Sequence, residues 1–442
     1  VVNDLKDLMR QNVAAPPPDH LDVDSLVDAG RRRVRSRRVR TGVGAVAAVG
    51  VIAVGASLLP SGTPPEQAAA RPRPEAPTIT LADATAGVEG RDYRQLASHT
   101  NDNLDNDNGQ YLDGVTDDGK ILFRDGPRTG QWRPRFALMD PATGDKDWLP
   151  ELEGVGQDQT WPADLSADRL VLLSLRNGLA GEMRAHAFDR AAGEWSTLTW
   201  PGLPQVDFPR AVAGPDDRLY VRVIATQGRP PEGGWPTGPD GEADDADFEG
   251  DTYHLWSVSL TDTADVRDEG LVVGDVAFTD TAMVWTDRTG DAGMMHVRDL
   301  ATGEESSFDP EVGDRCNLLS FGASGDRIVM GEYCGTYASG RDDRVQIVST
   351  DGEQVVTLQD DGISGWLPPG SDVVNIDLMG APGDDRTGTY VYDLESGRFL
   401  RISDAVSSWG LGGATGQPGQ FAWHTPVNHG KGATQYVGEL LD

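Results

Sequence analysis

The sequence predicts an all-β fold, a seven-bladed β-propeller (six or eight blades are the alternatives), preceded by one transmembrane helix. Three observations carry this reading. A Gly/Asp-rich turn followed by two short apolar runs recurs seven times after residue 110. Glycine and proline number 54 and 28 of 442 residues, about half as much again as usual, which favours turns over long helices. An uncharged run also follows directly on an arginine-rich one.

Taken in chain order, residues 1–40 read as a short cytoplasmic basic segment. They hold nine basic and six acidic side chains, too short a stretch for a substantial core. Residues 41–60 read as the transmembrane helix. Thr41 to Leu59 carries no charge and ends at Pro60; as a helix it spans about 28 Å, close to the hydrocarbon core. RRRVRSRRVR, seven arginines in ten residues, abuts its N-terminal end. Positive flanks stay on the cytoplasmic side, so the expected topology is N-terminus in and bulk out at the cell membrane. The arginines also meet anionic lipid headgroups, at about 1 kcal/mol per basic residue near the surface. A retained signal-anchor is expected, since a cleaved signal peptide has a much shorter leading region. Residues 61–78 form a Pro/Ala-rich tether.

Residues 79–442 form the expected extracytoplasmic propeller. The first run of each copy lies at 114–125, 165–175, 213–224, 274–287, 322–333, 368–379 and 416–426. The second lies at 136–149, 185–198, 253–266, 295–308, 345–358, 389–402 and 434–441. Turn glycines set the period: Gly144 to Gly193 and Gly303 to Gly352 are each 49 residues, and Gly352 to Gly397 is 45. Runs of four to six apolar residues have the length of strands, and four strands in such a period make a propeller blade. In the recurring D-x-x-T-G turn the Asp can accept local backbone hydrogen bonds while the Gly takes a positive φ. The last copy ends after its third strand, so its fourth must come from the N-terminal side. Thr78–Leu81 and Tyr93–Ala97 are the two candidates, and this closure would place the tether near the last blade.

Cys316 and Cys334 flank a hairpin centred near residues 324–325 and fall almost opposite each other, which predicts a disulfide on an oxidising side of the membrane. The third copy carries an acidic insertion at 226–251, and Trp235 within it is a candidate partner-binding residue.

The chemistry is read mostly by exclusion. Residues 61–442 hold 29 basic and 65 acidic side chains, so no nucleic acid is expected as a partner. There is no HExxH, no GxSxG and no phosphate-binding GxxxxGKS/T, so no catalytic residue is assigned. Ser324 in GASGD lies in a hairpin turn. His424 and His429 share the HTPVNH loop but form too small a set for a metal site. No cofactor is expected. The calcium alternative rests on Asp102, Asp105, Asp107 and Asp113, because the EF-hand register fails at Leu104 and Thr116.

The seven copies, with polar turns such as D-x-x-T-G, resemble the TolB-like or WD40-like propeller superfamily, although no copy carries a GH…WD pair. The layout of DLMRQN…APPPDHLDVDSLVDAGRRRVRSRR, membrane helix, tether and propeller resembles single-pass actinobacterial membrane proteins. Its N-terminal part is also similar to anti-sigma regulators, but lacks their zinc-binding HxxxCxxC pattern. The resemblance implies a fold that hosts binding proteins and enzymes alike. The reading for this chain is a non-catalytic binding or scaffold module for an extracytoplasmic protein, peptide or glycan. The alternatives are an exported hydrolase or lyase, and a transmembrane sensor that signals through residues 1–40.

Overall fold

The computed structural model describes residues 76–441 apart from the segments 105–108, 127–133, 154, 156–159, 176–179, 208–210, 229–249, 311–315, 337–339, 342, 381–382 and 408–415. The predicted membrane helix, and the tether up to residue 75, lie outside the described residues. Among the described residues no helix is long and apolar enough to cross a membrane.

Seven antiparallel sheets follow one another along the chain as blades. Blade 1 runs Gly109–Val115, Ile121–Gly126, Arg135–Met139 and Lys146–Trp148, from its innermost strand outwards. Blades 2 to 6 repeat the order with second strands Arg169–Leu175, Arg218–Thr226, Ala282–Thr286, Arg327–Tyr333 and Val373–Leu378. Blade 7 contributes Gln420–Val427 and Gly432–Leu440. The two apolar runs of each repeat are therefore the two middle strands. They are packed on both faces, and Ile121, Leu122 and Phe123 are each at most 1% exposed. Outer strands such as Glu305–Phe308 face solvent and carry little apolar signal.

Seven apolar clusters fill the seven spaces between consecutive blades. Leu122 and Phe136 of blade 1 meet Leu170 and Phe188 of blade 2. Val171 and Leu173 meet Leu219 and Val221, and Tyr253 and Leu255 meet Met283 and Trp285. Val284 and Met295 meet Ile328 and Met330, and Val345 and Ile347 meet Val374 and Ile376. Val373 and Val391 meet Phe421 and Trp423. The seventh cluster joins Val437 and Ala97 of blade 7 to Leu112 and Phe123 of blade 1, so the ring is closed.

Closure uses the N-terminal side, as the missing strand requires. Tyr93–Asn101 pairs antiparallel with Gly432–Leu440 as the outer strand of blade 7. The other candidate has a different role. Thr78–Ile79 lies parallel to Thr357–Leu358 on the outer edge of blade 5. Between them, Thr85–Ala86 lies parallel to Leu400–Arg401 on the edge of blade 6. Leu81, 4% exposed, packs into the cluster between blades 5 and 6. The segment thus straps two blades before closing a third. One expectation is corrected here: the described chain begins against blade 5, not against the last blade.

Candidate functional site

The two faces of the ring differ in the chemistry of their connections. On one face, tight turns join first to second and third to fourth strands. Asp140, Asp189 and Asp299 each accept hydrogen bonds at Oδ1 from the backbone N–H groups two and three residues on, at 2.7–3.2 Å. Asp393 does the same at 3.0 and 3.4 Å. The glycines that follow sit at φ 71° to 75°. This face is built from local turn chemistry. Ser324 lies on it, beside Gly325 at φ 57°.

The opposite face carries the longer connections. Near it, the second and third strands meet in polar pairs: Asp125 with Arg135, Ser174 with Arg184, Glu332 with Arg344, Asp377 with Thr389 and Thr425 with Thr434. The Arg344 guanidinium donates to Glu332 at 2.6 Å, and Thr389 donates to Asp377 at 2.6 Å. Burial pushes the carboxyls of Glu332 and Asp377 up, and the hydrogen-bonding partners oppose it.

Across blades 3 to 5 the loops of this face are stitched together. Asp251, which ends the acidic insertion, accepts from the N–H of Gly228 at 3.0 Å and from the Tyr253 hydroxyl at 3.0 Å. Its own N–H donates to Thr289 Oγ1 at 2.9 Å, and the Thr289 N–H donates back to its carbonyl at 3.0 Å. A side chain at Gly250 would place a Cβ 2.1 Å from the Thr289 carbonyl oxygen, so only glycine permits this approach. The next residues, Gly290–Asp291, pair with Asn317–Leu318 on the innermost strand of blade 5. That strand follows Cys316, which is bridged to Cys334 as expected, with the two Cα atoms 4.5 Å apart. The 18-residue closure contributes about 3 kcal/mol in the chain-entropy account. On the same strand Leu319 is the extra residue of a bulge and is 64% exposed. Met379, just past the second strand of blade 6, is 59% exposed.

The sequence-level candidates fall as follows. Cys316 and Cys334 come together, and the sulfurs lie with a carboxylate oxygen of Glu332 inside a 4.8 Å group, a candidate metal-binding set. Its donors are sulfur-rich, which does not suit calcium. Of the calcium candidates, Asp113 is 1% exposed and binds Arg124 at two points, 2.6 and 3.0 Å, so it is withdrawn from any calcium loop. Asp105, Asp107 and Trp235 lie outside the described residues. His424 is buried and donates through Nε2 to the Ser407 carbonyl at 2.8 Å, whereas His429 sits exposed in a turn at φ 57°.

Two further contacts have the look of catalysis. Ser174 Oγ lies 2.8 Å from His186 Nε2, but both residues have no exposure and Thr197 occupies Nδ1 at 3.1 Å. Burial takes the His186 imidazole down to about 4, so it stays neutral in a sealed chain of hydrogen bonds. His296 Nε2 lies 2.7 Å from Asp287 Oδ1 while its ring stacks on Trp285 at 5.2 Å. The Asp287 carboxyl also accepts the Met294 N–H at 3.0 Å, which makes it a clamp on its own loop.

No family profile and no curated protein sequence matches this chain. Solved structures are similar in fold. A chain of a mitotic checkpoint complex is 9% identical, covering 80% of this chain and 99% of that one, at a TM-score of 0.43. A member of the duf4221 family from Bacteroides vulgatus is 9% identical over 80% and 100%, at 0.39. A prolyl endopeptidase is 14% identical over 80% of this chain and 48% of that one, at 0.41. Similarity at this level bears on fold and on nothing finer.

Proposed function

We propose that the chain is a membrane-tethered extracytoplasmic propeller whose loop-bearing face is a non-catalytic binding platform for a protein, peptide or glycan. One observation carries this reading: three consecutive blades lock their loops into one continuous ledge, from Gly228 through Asp251, Thr289 and Asp291 to the Cys316–Cys334 bridge. A preorganised ledge, on the face that also carries exposed Leu319 and Met379, lowers the ordering cost of binding. The body at 61–442, with 65 acidic and 29 basic residues, steers ligands with a cationic contact surface towards it. A protein or peptide with a basic segment is therefore the favoured partner.

The test uses photo-crosslinking side chains at positions 319 and 379 of the full-length protein in intact cells. A discrete partner is expected, competed by salt and lost in Leu319→Asp. The same crosslinker at Asp147, on an outer strand, is expected to capture nothing specific. Equal capture from all three positions would remove the loop face from the proposal. Topology is checked separately, by protease accessibility in cells and spheroplasts with a tag at each terminus. A C-terminal tag reachable only after lysis would overturn the tethered, extracytoplasmic part.

A further inference from the structure

We propose that opening the Cys316–Cys334 bridge converts this corner of blade 5 into a site for one zinc ion, held by the two thiolates and the Glu332 carboxylate. The backbone holds the cysteines together independently of the S–S bond. Cys316 precedes the innermost strand, Cys334 follows the second, and their neighbours Asn317 and Tyr333 are directly paired. Reduction therefore leaves two thiols facing each other at residues that are 5% exposed. The two sulfurs and a Glu332 oxygen already lie within 4.8 Å of one another. Tetrahedral zinc, with bonds of about 2.0–2.3 Å, needs its ligand atoms roughly 3.5–3.8 Å apart, which is a small rearrangement.

Charge selects the ion. In the bridged state Glu332 is paired with Arg344 at 2.6 Å, and the buried Asp291 carboxylate also lies near enough to act on it. Two thiolates would add two negative charges that burial cannot tolerate alone. A divalent cation offsets those two charges, and thiolate donors favour zinc over calcium or magnesium. The chemistry balances. A dithiol reductant gives two electrons and two protons to the S–S bond and is itself oxidised to a disulfide. Zinc then displaces the two thiol protons to solvent. Three protein ligands leave the fourth position to water.

The test takes the full-length protein in its bridged form and after reduction by a phosphine, which leaves no competing thiol. Zinc is titrated against a chromophoric chelator, and cobalt(II) is used as a spectroscopic substitute. The reduced chain is expected to take up one zinc with release of two protons, and to show a thiolate-to-cobalt charge-transfer band. The bridged chain and the Cys316→Ser/Cys334→Ser variant are expected to show neither. Glu332→Gln is expected to weaken zinc by at least the roughly tenfold that even an outer partner costs, while keeping the cobalt band. Because that change leaves Arg344 without its carboxylate, Glu332→Gln/Arg344→Met is measured beside it, with circular dichroism as the folding control. Zinc uptake equal in reduced wild type and the double-serine variant would overturn the site. Wild-type affinity in both Glu332 variants would overturn the carboxylate's part in it.

Discussion

At the scale of single residues, two kinds of glycine have different physical reasons. Gly303, at φ 73°, has nothing within 4 Å of where a Cβ would stand. Its requirement is conformational, and Gly303→Ala is expected to cost about 1–2 kcal/mol. Gly331 is constrained by packing: a Cβ there would lie 2.2 Å from the Gly365 carbonyl oxygen on blade 6. Backbone cannot rotate away, so Gly331→Ala is expected to cost more than Gly303→Ala in urea denaturation. His186 gives a pH signature. Burial holds its imidazole down to about 4 in the fold, against about 6.5 in an unfolded chain. The unfolded chain then binds the extra proton between those values. This residue's contribution to stability is full above about pH 6.5 and falls as pH drops to about 4, by roughly 3 kcal/mol. Unfolding measured across that range is expected to show the slope, and His186→Gln is expected to reduce it, with His99, also held down by burial, contributing the same sign.

At the scale of elements, the strap at 78–86 is separable from the strand at 93–101. The strap adds two-residue parallel ladders to blades 5 and 6 and inserts Leu81, while all four strands of each blade are already present. Leu81→Asp is therefore expected to release the strap without opening the ring. Hydrogen exchange would show lost protection at Thr357–Leu358 and Leu400–Arg401, with the core strands unchanged. The contrast also marks what the sequence made legible. Middle strands are packed on both sides, so burial writes short apolar runs into them, Ile121–Phe123 and Leu170–Leu173 among them. The D-x-x-T-G turns are legible because their hydrogen bonds are local. The strap was half legible, because a two-residue ladder has no periodicity and its partners lie some 280 and 315 positions away. The loop ledge was not legible at all. Asp251 and Thr289 are ordinary residues until the ring sets blade 3 beside blade 4. Glu332 and Arg344 were passed over for a related reason. Their pairing depends on strand register, and twelve residues of separation do not reveal it.

At the scale of the whole molecule, stability resides in the spaces between blades, and closure makes those spaces equivalent. Among the described residues every blade packs an apolar face on each neighbour, because the seventh cluster joins Val437 to Leu112 and Phe123. A break in one space is therefore felt by its neighbours on both sides, and the closed ring should unfold as one unit. Leu255→Ala, at a fully buried position between blades 3 and 4, is expected to cost about 2–5 kcal/mol and to lower a single calorimetric transition without splitting it. Removing residues 76–101 acts differently. Blade 7 loses its outer strand, and Ala97 leaves the closing cluster. The seam between blades 7 and 1 is then left to Val437 and to the Gln435 hydrogen bonds with blade 1, and a ring weakened at one seam frays from it because each unit is held only by its neighbours. That chain is expected to show broadened or multiple transitions, with a van't Hoff enthalpy well below the calorimetric one. A single sharp transition in the shortened chain would mean that the interfaces left in place carry the cooperativity. The strand at 93–101 would then be a covering for an edge rather than the closure of the ring.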